Sequence, residues 1–324
     1  MASPIIRRAL LYVPGSSPKM LSKSRGLVAD NVTYDLEDSV TPGKKAEARV
    51  ALREQLSQPR AAGVREQAVR INSVDSGLAL DDLTEVLKAP HLDAVVVPKV
   101  NSPSDLHFIT DVIRHTLPSR HPSSPATSSS ATARQPPLRI LALIESALAV
   151  TSLPAICASS PYLSGLIFAA EDFALDLSLT RTPSLTEFLY ARSAIATAAR
   201  AANLASTIDL VCTSYRGEAG ERALRDECAD GKRLGFNGKQ CIHPSQVGIV
   251  QEMFGPGEGE VEWAVRVVVA DRKADRAGKG AWTLDGKMID KPVVGKAKAV
   301  VERATVCGVN VEGVMEKWKG QEPE

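Results

Sequence analysis

Residues 139–145 read RILALIE, and residues 165–172 read GLIFAAED. Each is an unbroken apolar run that ends in a carboxylate. A run without polar alternation suits a strand buried on both faces, as in a parallel sheet covered by helices. An acid at the C-terminal end of such a strand falls on the rim where α/β folds gather their chemistry. Glu145 and Asp172 on neighbouring rims could hold one hard cation such as Mg²⁺, whose octahedron needs few protein ligands once water and substrate oxygens contribute. The competing reading makes each acid a cap or first-turn residue of the helix that follows.

Similar runs extend in both directions. They are ALLYVP (9–14), VTYDLE (32–37), QAVRI (67–71), DAVVVPKV (93–100), LSGLIFAAE (163–171), TIDLVCTS (207–214) and GKQCIHP (238–244). Segments between them, such as KKAEARVALREQL and EFLYARSAIATAARAANL, have helical spacing or composition. Eight strands alternating with helices predict an α/β fold of the TIM (β/α)8 barrel type over residues 1–250. An open doubly wound sheet ranks second, because no Gly-rich dinucleotide turn follows the first strand.

Residues 118–137, PSRHPSSPATSSSATARQPP, are rich in Pro, Ser and Thr. They predict a disordered loop between the fourth helix and the fifth strand, on the face away from the chemistry. Residues 251–324 fall outside the eightfold pattern. There VEWAVRVVVADRKADRAGKG predicts an amphipathic helix running into a Gly-rich break, followed by an extended turn and a second helix. This tail is expected to be a small lid or arm.

The balance of 39 Lys plus Arg against 38 Asp plus Glu gives a formal net charge of +1. With aromatic residues at only 4%, this argues against nucleic-acid and acidic-membrane partners. No apolar stretch has the length of a membrane span. Cys157, Cys212, Cys228, Cys241 and Cys307 are odd in number and lack zinc-like spacing, so they read as reduced thiols of a cytoplasmic compartment. The first apolar run starts at residue 9, which is read as leaving no room for a targeting leader.

A barrel brings its strand ends to one mouth. That mouth collects Tyr12, Asp35, Glu37, Asp38, Arg70, Lys99, Glu145, Asp172 and His243. Arg70 lies inside AVRIN, and a guanidinium there needs an anionic partner. It is either a structural mate of Glu37 or Asp38, or a fork for a substrate carboxylate or enolate oxygen with those acids behind it. Lys99 in VVPKV could bind phosphate or neutralise a rim carboxylate. His243, followed by Pro244, reads as a structural histidine or as an oriented contact. Lys19 and Lys23 follow SSP, a plausible helix start, and their spacing of four puts them on one face. With Arg25 they form either a solvated surface or a dock for the phosphates of an extended cofactor.

The stretches RRALLYVPGSSPK, YDLEDSV, VRINSVDSGL, VPKV, FAAEDFA, LYAR, IDLV, GFNGKQCIHPSQVGIVQEMFGP and GAWTLDGKMIDKP run from residue 7 to about residue 300. Together they resemble the citrate lyase beta-subunit-like branch of the HpcH/HpaI aldolase superfamily. The resemblance implies a TIM barrel assembled as a homotrimer. It implies Mg²⁺ held at Glu145 and Asp172, and substrate contacted by Arg70. It further implies coenzyme A contacts at Tyr12, Lys19, Lys23, Ile242 and His243. A catalytic acid is implied at Asp290, reaching a neighbouring subunit's site; without the resemblance, Asp290 reads as a turn residue before proline.

The activity so implied is Mg²⁺-dependent cleavage of a 3-hydroxy-3-carboxyacyl-CoA, foremost citramalyl-CoA to acetyl-CoA and the 2-oxoacid pyruvate. Malyl, methylmalyl and citryl thioesters, or a malate synthase-like condensation, are alternatives. A metal-dependent aldolase acting on free 2-oxoacids is a rival, disfavoured by Lys19, Lys23 and the GKMID segment. A non-catalytic thioester-binding subunit is another, disfavoured by the intact Arg70, Glu145, Asp172 and Asp290. The Pro/Ser/Thr insert and the missing mitochondrial leader depart from the likeness. A cytoplasmic location is therefore expected, with a mitochondrial one as the alternative.

Overall fold

The computed structural model of the chain describes residues 5–122, 135–278 and 280–324. Two compact units divide it, Arg7–Gln251 and Glu252–Glu324 together with the described residues before Arg7. The first unit holds strands β1 (Ala9–Pro14), β2 (Ala29–Asp35), β3 (Val64–Arg70), β4 (Ala94–Val97), β5 (Arg139–Ile144), β6 (Leu163–Phe168), β7 (Ser206–Asp209) and β8 (Gly238–Cys241). Each pairs in parallel with the next, and β8 pairs with β1, closing the barrel. The eight-stranded TIM barrel expected from the apolar runs is therefore present.

Helices α1 (Pro18–Ser24), α2 (Lys45–Ser57), α3 (Ala79–Val86), α4 (Pro103–Thr116), α5 (Ala147–Thr151), α6 (Leu153–Ala158), α7 (Ala170–Leu177), α8 (Leu189–Ala201), α9 (Gly217–Leu234) and α10 (Pro244–Met253) fill the connections. Their placement follows local chemistry. Ala48, Leu52 and Leu56 recur every four residues and make the buried stripe of α2. Ser102 and Asp105 form a capping box that starts α4, with Pro103 in its first turn. Ser17 caps α1 ahead of Pro18, as the SSP triplet suggests.

All seven residues of β2 and all four of β4 are buried, as strands covered on both faces should be. Leu10, Ala68, Ala94, Val96, Leu141, Leu143, Ile167 and Ile208 pack together as an apolar cluster of strand side chains. A buried polar network accompanies them. Arg7, 2% exposed, grips Glu66 through Nε–Oε2 at 2.5 Å and Nη2–Oε1 at 2.7 Å. It also donates to the hydroxyls of Ser164 and Ser206. Every charge removed from water there is matched by an opposite one, the condition for burying it.

Strand limits differ from those read in sequence. The second and third strands start three residues earlier than expected, and the second ends at Asp35 rather than at residue 37. Asp35 turns the chain there by accepting from Glu37 N and Ser39 N. The fourth strand stops at Val97 instead of residue 100, because Pro98 has no N–H to continue the ladder. The sixth stops at Phe168, the seventh at Asp209 and the eighth at Cys241, short of residues 171, 214 and 244. Apolar composition runs on past each of these strand ends into the connection that follows, so hydrophobicity alone overstates strand length.

The Pro/Ser/Thr segment is described only at its two ends. Residues 123–134, to which most of that expectation applies, lie outside the described residues. Pro118–Arg120 form a 3₁₀ turn. Arg120 is 4% exposed and donates to Leu92 O at 2.7 Å and Pro136 O at 3.0 Å. One guanidinium thus ties both flanks of the insert to ordered backbone.

The second unit contains α11 (Glu258–Arg276), the antiparallel hairpin of β9 (Trp282–Leu284) and β10 (Lys287–Ile289), α12 (Lys291–Val306) and α13 (Val311–Lys317). The hairpin turns on Asp285 and Gly286, both at positive φ (50° and 72°), the pattern of a tight two-residue loop. Ala264, Val267, Trp282, Ile289 and Ala297 share its core. The last short helix, α13, was not anticipated in sequence. No helix among the described residues is long and apolar enough to cross a membrane, and all five cysteines are free.

Candidate active site

The mouth of the barrel opens around a cavity of about 390 Å³. Its lining includes Tyr12, Asp35, Asp38, Arg70, Asp172 and Ile242. A close approach shapes its edge. Gly15 N donates to Asp35 O at 2.9 Å, and a Cβ on Gly15 would lie 2.7 Å from that same oxygen. Only glycine lets the first loop lie this near β2.

Arg70 is the hub. It ends β3 directly opposite Asp35 in the β2–β3 register. Its Nε reaches Asp35 Oδ1 at 2.7 Å and its Nη2 reaches Oδ2 at 2.8 Å. Its Nη1 lies 3.1 Å from Glu37 Oε2 and 3.2 Å from Asp38 Oδ2. The expected mates Glu37 and Asp38 are therefore present but secondary; the bidentate partner is Asp35. Burial by itself would raise the Asp35 carboxyl, but the hydrogen bond and charge of Arg70 outweigh it and hold it below the usual range. The guanidinium also stands 4.8 Å from the centre of the Tyr12 ring.

Tyr12 donates its hydroxyl to Gln240 Oε1 at 2.9 Å, and Gln240 in turn donates to Phe168 O and Asp209 O. Burial raises the Tyr12 phenol well above its ordinary value, so it stays protonated. Gln240 was not singled out in sequence. Its signal is a polar residue inside the buried strand GKQC, where every amide hydrogen bond must be satisfied.

Glu145 follows β5, and the helix after it is capped by Ser146, which accepts from Ala149 N at 3.0 Å. Glu145 is therefore not a cap. It is 6% exposed and accepts a hydrogen bond from Lys99 N. Burial, and then the charges of Asp172 and Glu37, push its carboxyl up to about 8. Asp172 sits in the first turn of α7 and lines the cavity. The two acids expected as a pair are thus electrostatically coupled, although Glu145 is not itself among the cavity-lining residues. Lys99 carries its ammonium 3.0 Å from Glu37 Oε1, which favours the rim-neutralising of the two roles considered for it. Burial raises Glu37, opposed by Arg70 and Lys99.

Five carboxylates (Asp35, Glu37, Asp38, Glu145 and Asp172) thus share the mouth with two cations, Arg70 and Lys99. The surplus is negative and supplied wholly by oxygen donors, the chemistry of a hard divalent cation. Among the described residues no three His, Cys, Asp or Glu side chains converge as a complete metal cage.

The remaining expected residues lie at varied places. Ile242 lines the cavity and is 43% exposed. His243 is exposed, stacks on Tyr215 with ring centres 5.0 Å apart, and has Nδ1 2.8 Å from Ser245 Oγ. Lys19 and Lys23 are exposed on α1. Asp290 belongs to the second unit, where its side chain caps α12 by accepting from Val293 N at 3.1 Å. The turn role read from sequence becomes, more specifically, a helix cap.

Comparison with known proteins shows the chain's family. The family described as HpcH/HpaI aldolase/citrate lyase matches residues 8–244. The mitochondrial citramalyl-CoA lyase of Homo sapiens is 34% identical over 310 residues, covering 93% of this chain and 86% of that protein. Citrate lyase subunit beta of Escherichia coli strain K12 is 36% identical over 308 residues, covering 94% and 96%. The crystal structure of CitE from Mycobacterium tuberculosis in complex with magnesium, acetoacetate and coenzyme A superposes with a TM-score of 0.70 at 26% identity, covering 93% of this chain and 98% of that one. A barrel of this kind, carrying these matches over its whole length, belongs to the HpcH/HpaI aldolase/citrate lyase family.

Proposed function

We propose that this chain is a Mg²⁺-dependent carbon–carbon lyase that splits a 3-hydroxy-3-carboxyacyl-CoA, with citramalyl-CoA yielding acetyl-CoA and pyruvate as the favoured reaction. The observation that carries it is the coupled acid pair of Glu145, just after β5, and Asp172, in the first turn of α7, with Asp172 and Arg70 lining one cavity. Support also comes from relatives named citramalyl-CoA lyase and citrate lyase subunit beta, and from a CitE structure containing magnesium and coenzyme A.

In this reading Glu145 and Asp172 would hold Mg²⁺, which when bound would supply Lewis-acid stabilisation of negative charge on the substrate's oxygens. Arg70 keeps Asp35 as its fixed mate and lines the cavity with Nη1 beside Glu37 and Asp38, where its charge would stabilise the thioester enolate. Transfer of the hydroxyl proton to a base, with breaking of the bond between the α and β carbons, leaves pyruvate and a thioester enolate. A proton must then be delivered to the enolate carbon, and Asp290 is the proposed donor, supplied by a neighbouring copy in a homotrimer. Tyr12, Ile242 and His243, with Lys19 and Lys23 for the phosphates, are the proposed coenzyme A contacts. A cytoplasmic location belongs to the same proposal, and cell fractionation checks it.

The test is a mass-spectrometric turnover screen of citramalyl, malyl, methylmalyl and citryl thioesters with and without MgCl₂, alongside native mass measurement of the assembly. Acetyl-CoA and pyruvate formed only with Mg²⁺ is the expected result. Turnover of free 2-oxoacid aldols in place of thioesters would overturn it.

A further inference from the structure

Lys99 holds an unusual backbone. Pro98 ends β4, and the next residue adopts φ 52°, the left-handed region that a residue with a Cβ enters at a cost. The residues on either side are buried, so the turn is held from both flanks. Such strain persists only where the surroundings over-determine it, and it concentrates at functional sites.

Both polar ends of this one residue point to the acids of the mouth. Its main-chain N–H donates to Glu145 Oε1. Its ammonium lies 3.0 Å from Glu37 Oε1, and Glu37 Oε2 lies 3.1 Å from Arg70 Nη1. The side chain is 44% exposed at the rim, whereas Glu37 is 9% exposed beneath it. A continuous chain of contacts therefore runs from Glu145 through Lys99 and Glu37 to Arg70.

We infer that Lys99 is a positioning residue: its left-handed turn aims the N–H that orients Glu145, and its ammonium holds Glu37, which in turn fixes Arg70 through Nη1. The inference rests on the metal-dependent reading above and assigns Lys99 no contact with substrate. Its two arms are separable. The main-chain arm sets metal affinity, because a carboxylate fixed before binding loses less freedom on coordination. The side-chain arm sets turnover through Arg70.

The experiment compares Lys99→Gly with Lys99→Val in the full-length protein. Both remove the ammonium, but glycine keeps the left-handed turn and the branched valine side chain opposes it. Binding of MgCl₂ is measured by isothermal titration calorimetry, with circular dichroism melting as the folding control. Lys99→Gly is expected to bind Mg²⁺ within about threefold of wild type and Lys99→Val at least about tenfold more weakly, given what a misplaced ligand costs. If Lys99→Val does not fold, Lys99→Asn against Lys99→Ala makes the same comparison, since asparagine tolerates this region. In turnover, Lys99→Gly is expected to lose about tenfold or more in kcat despite its retained metal affinity, and Lys99→Arg to recover most of it. Equal Mg²⁺ affinity across the variants, or wild-type kcat in Lys99→Gly, overturns the inference alone. A wild-type protein that binds no Mg²⁺ overturns the metal reading and the inference together.

Discussion

Arg70 and Asp35 face each other across β2 and β3 and meet through two parallel hydrogen bonds of 2.7 and 2.8 Å. Both are largely withdrawn from water, with side-chain exposures of 13% and 2%. The fork takes Nε and Nη2, and Nη1 is left to meet Glu37 and Asp38.

Replacing Asp35 with Asn removes the bidentate anion and leaves Arg70 only Glu37 and Asp38, so the expected destabilisation is about 1.5–3 kcal/mol, read as a lower urea midpoint. The pH dependence has a fixed sign. Because Asp35 titrates below its ordinary 3.8, it adds stability above that value and loses it as pH falls through the lower folded one. The Asp35→Asn protein should lack that acid-side loss; an unaltered acid limb would contradict the assignment.

Glu145 behaves in the opposite sense. Its folded carboxyl titrates near 8 rather than 4.5, so the metal-free fold binds more protons than the unfolded chain between those values and is weakened as pH rises across them. A cation must displace that proton. Apparent Mg²⁺ affinity should rise about tenfold per pH unit up to about pH 8 and then level, with about one proton released per ion at pH 7. Calorimetry in buffers of different ionisation enthalpy measures the release, and Glu145→Gln should abolish it.

Asp290→Asn separates capping from proton transfer. Asparagine caps helices as well as aspartate does, so α12 and the melting temperature should be unaffected. Turnover should fall by about 10² or more, in the range of a lost general acid, while thioester binding is retained. Full activity in Asp290→Asn removes it as the donor. Asp290→Ala should in addition cost about 1 kcal/mol of stability through the lost cap.

Tyr12→Phe deletes the only hydroxyl donated to Gln240 Oε1 among the described contacts. Gln240 is 3% exposed, so its orphaned oxygen should cost about 1–3 kcal/mol, measurable by chemical denaturation. Because burial keeps the phenol protonated, no step in the pH–rate profile should disappear with it.

Much of this molecule was legible because its signals are local. Doubly buried strands are written as apolar runs; Glu145 stands at the rim because it follows β5 directly, whereas Asp172 is placed there by the first turn of α7. The charge on Arg70 likewise announced that a partner existed. Which acid would be the partner was not legible, since Asp35, Glu37 and Asp38 are adjacent in the chain and only the β2–β3 register sets Asp35 opposite. Strand ends were overrun for a related reason: proline, a side-chain turn or a helix start stops the ladder, and composition does not record it.

The alternation of apolar runs and helical segments by itself determined the barrel, because burying every run on two faces leaves few ways to arrange eight of them. It also determined that acids and an arginine collect at one end. Tertiary structure alone decided the left-handed turn at Lys99, the coupling that lifts Glu145 to about 8, and the choice of Asp35 for Arg70. Each of these depends on distances between residues far apart in the chain, and electrostatic and hydrogen-bond energies are functions of that distance and of burial.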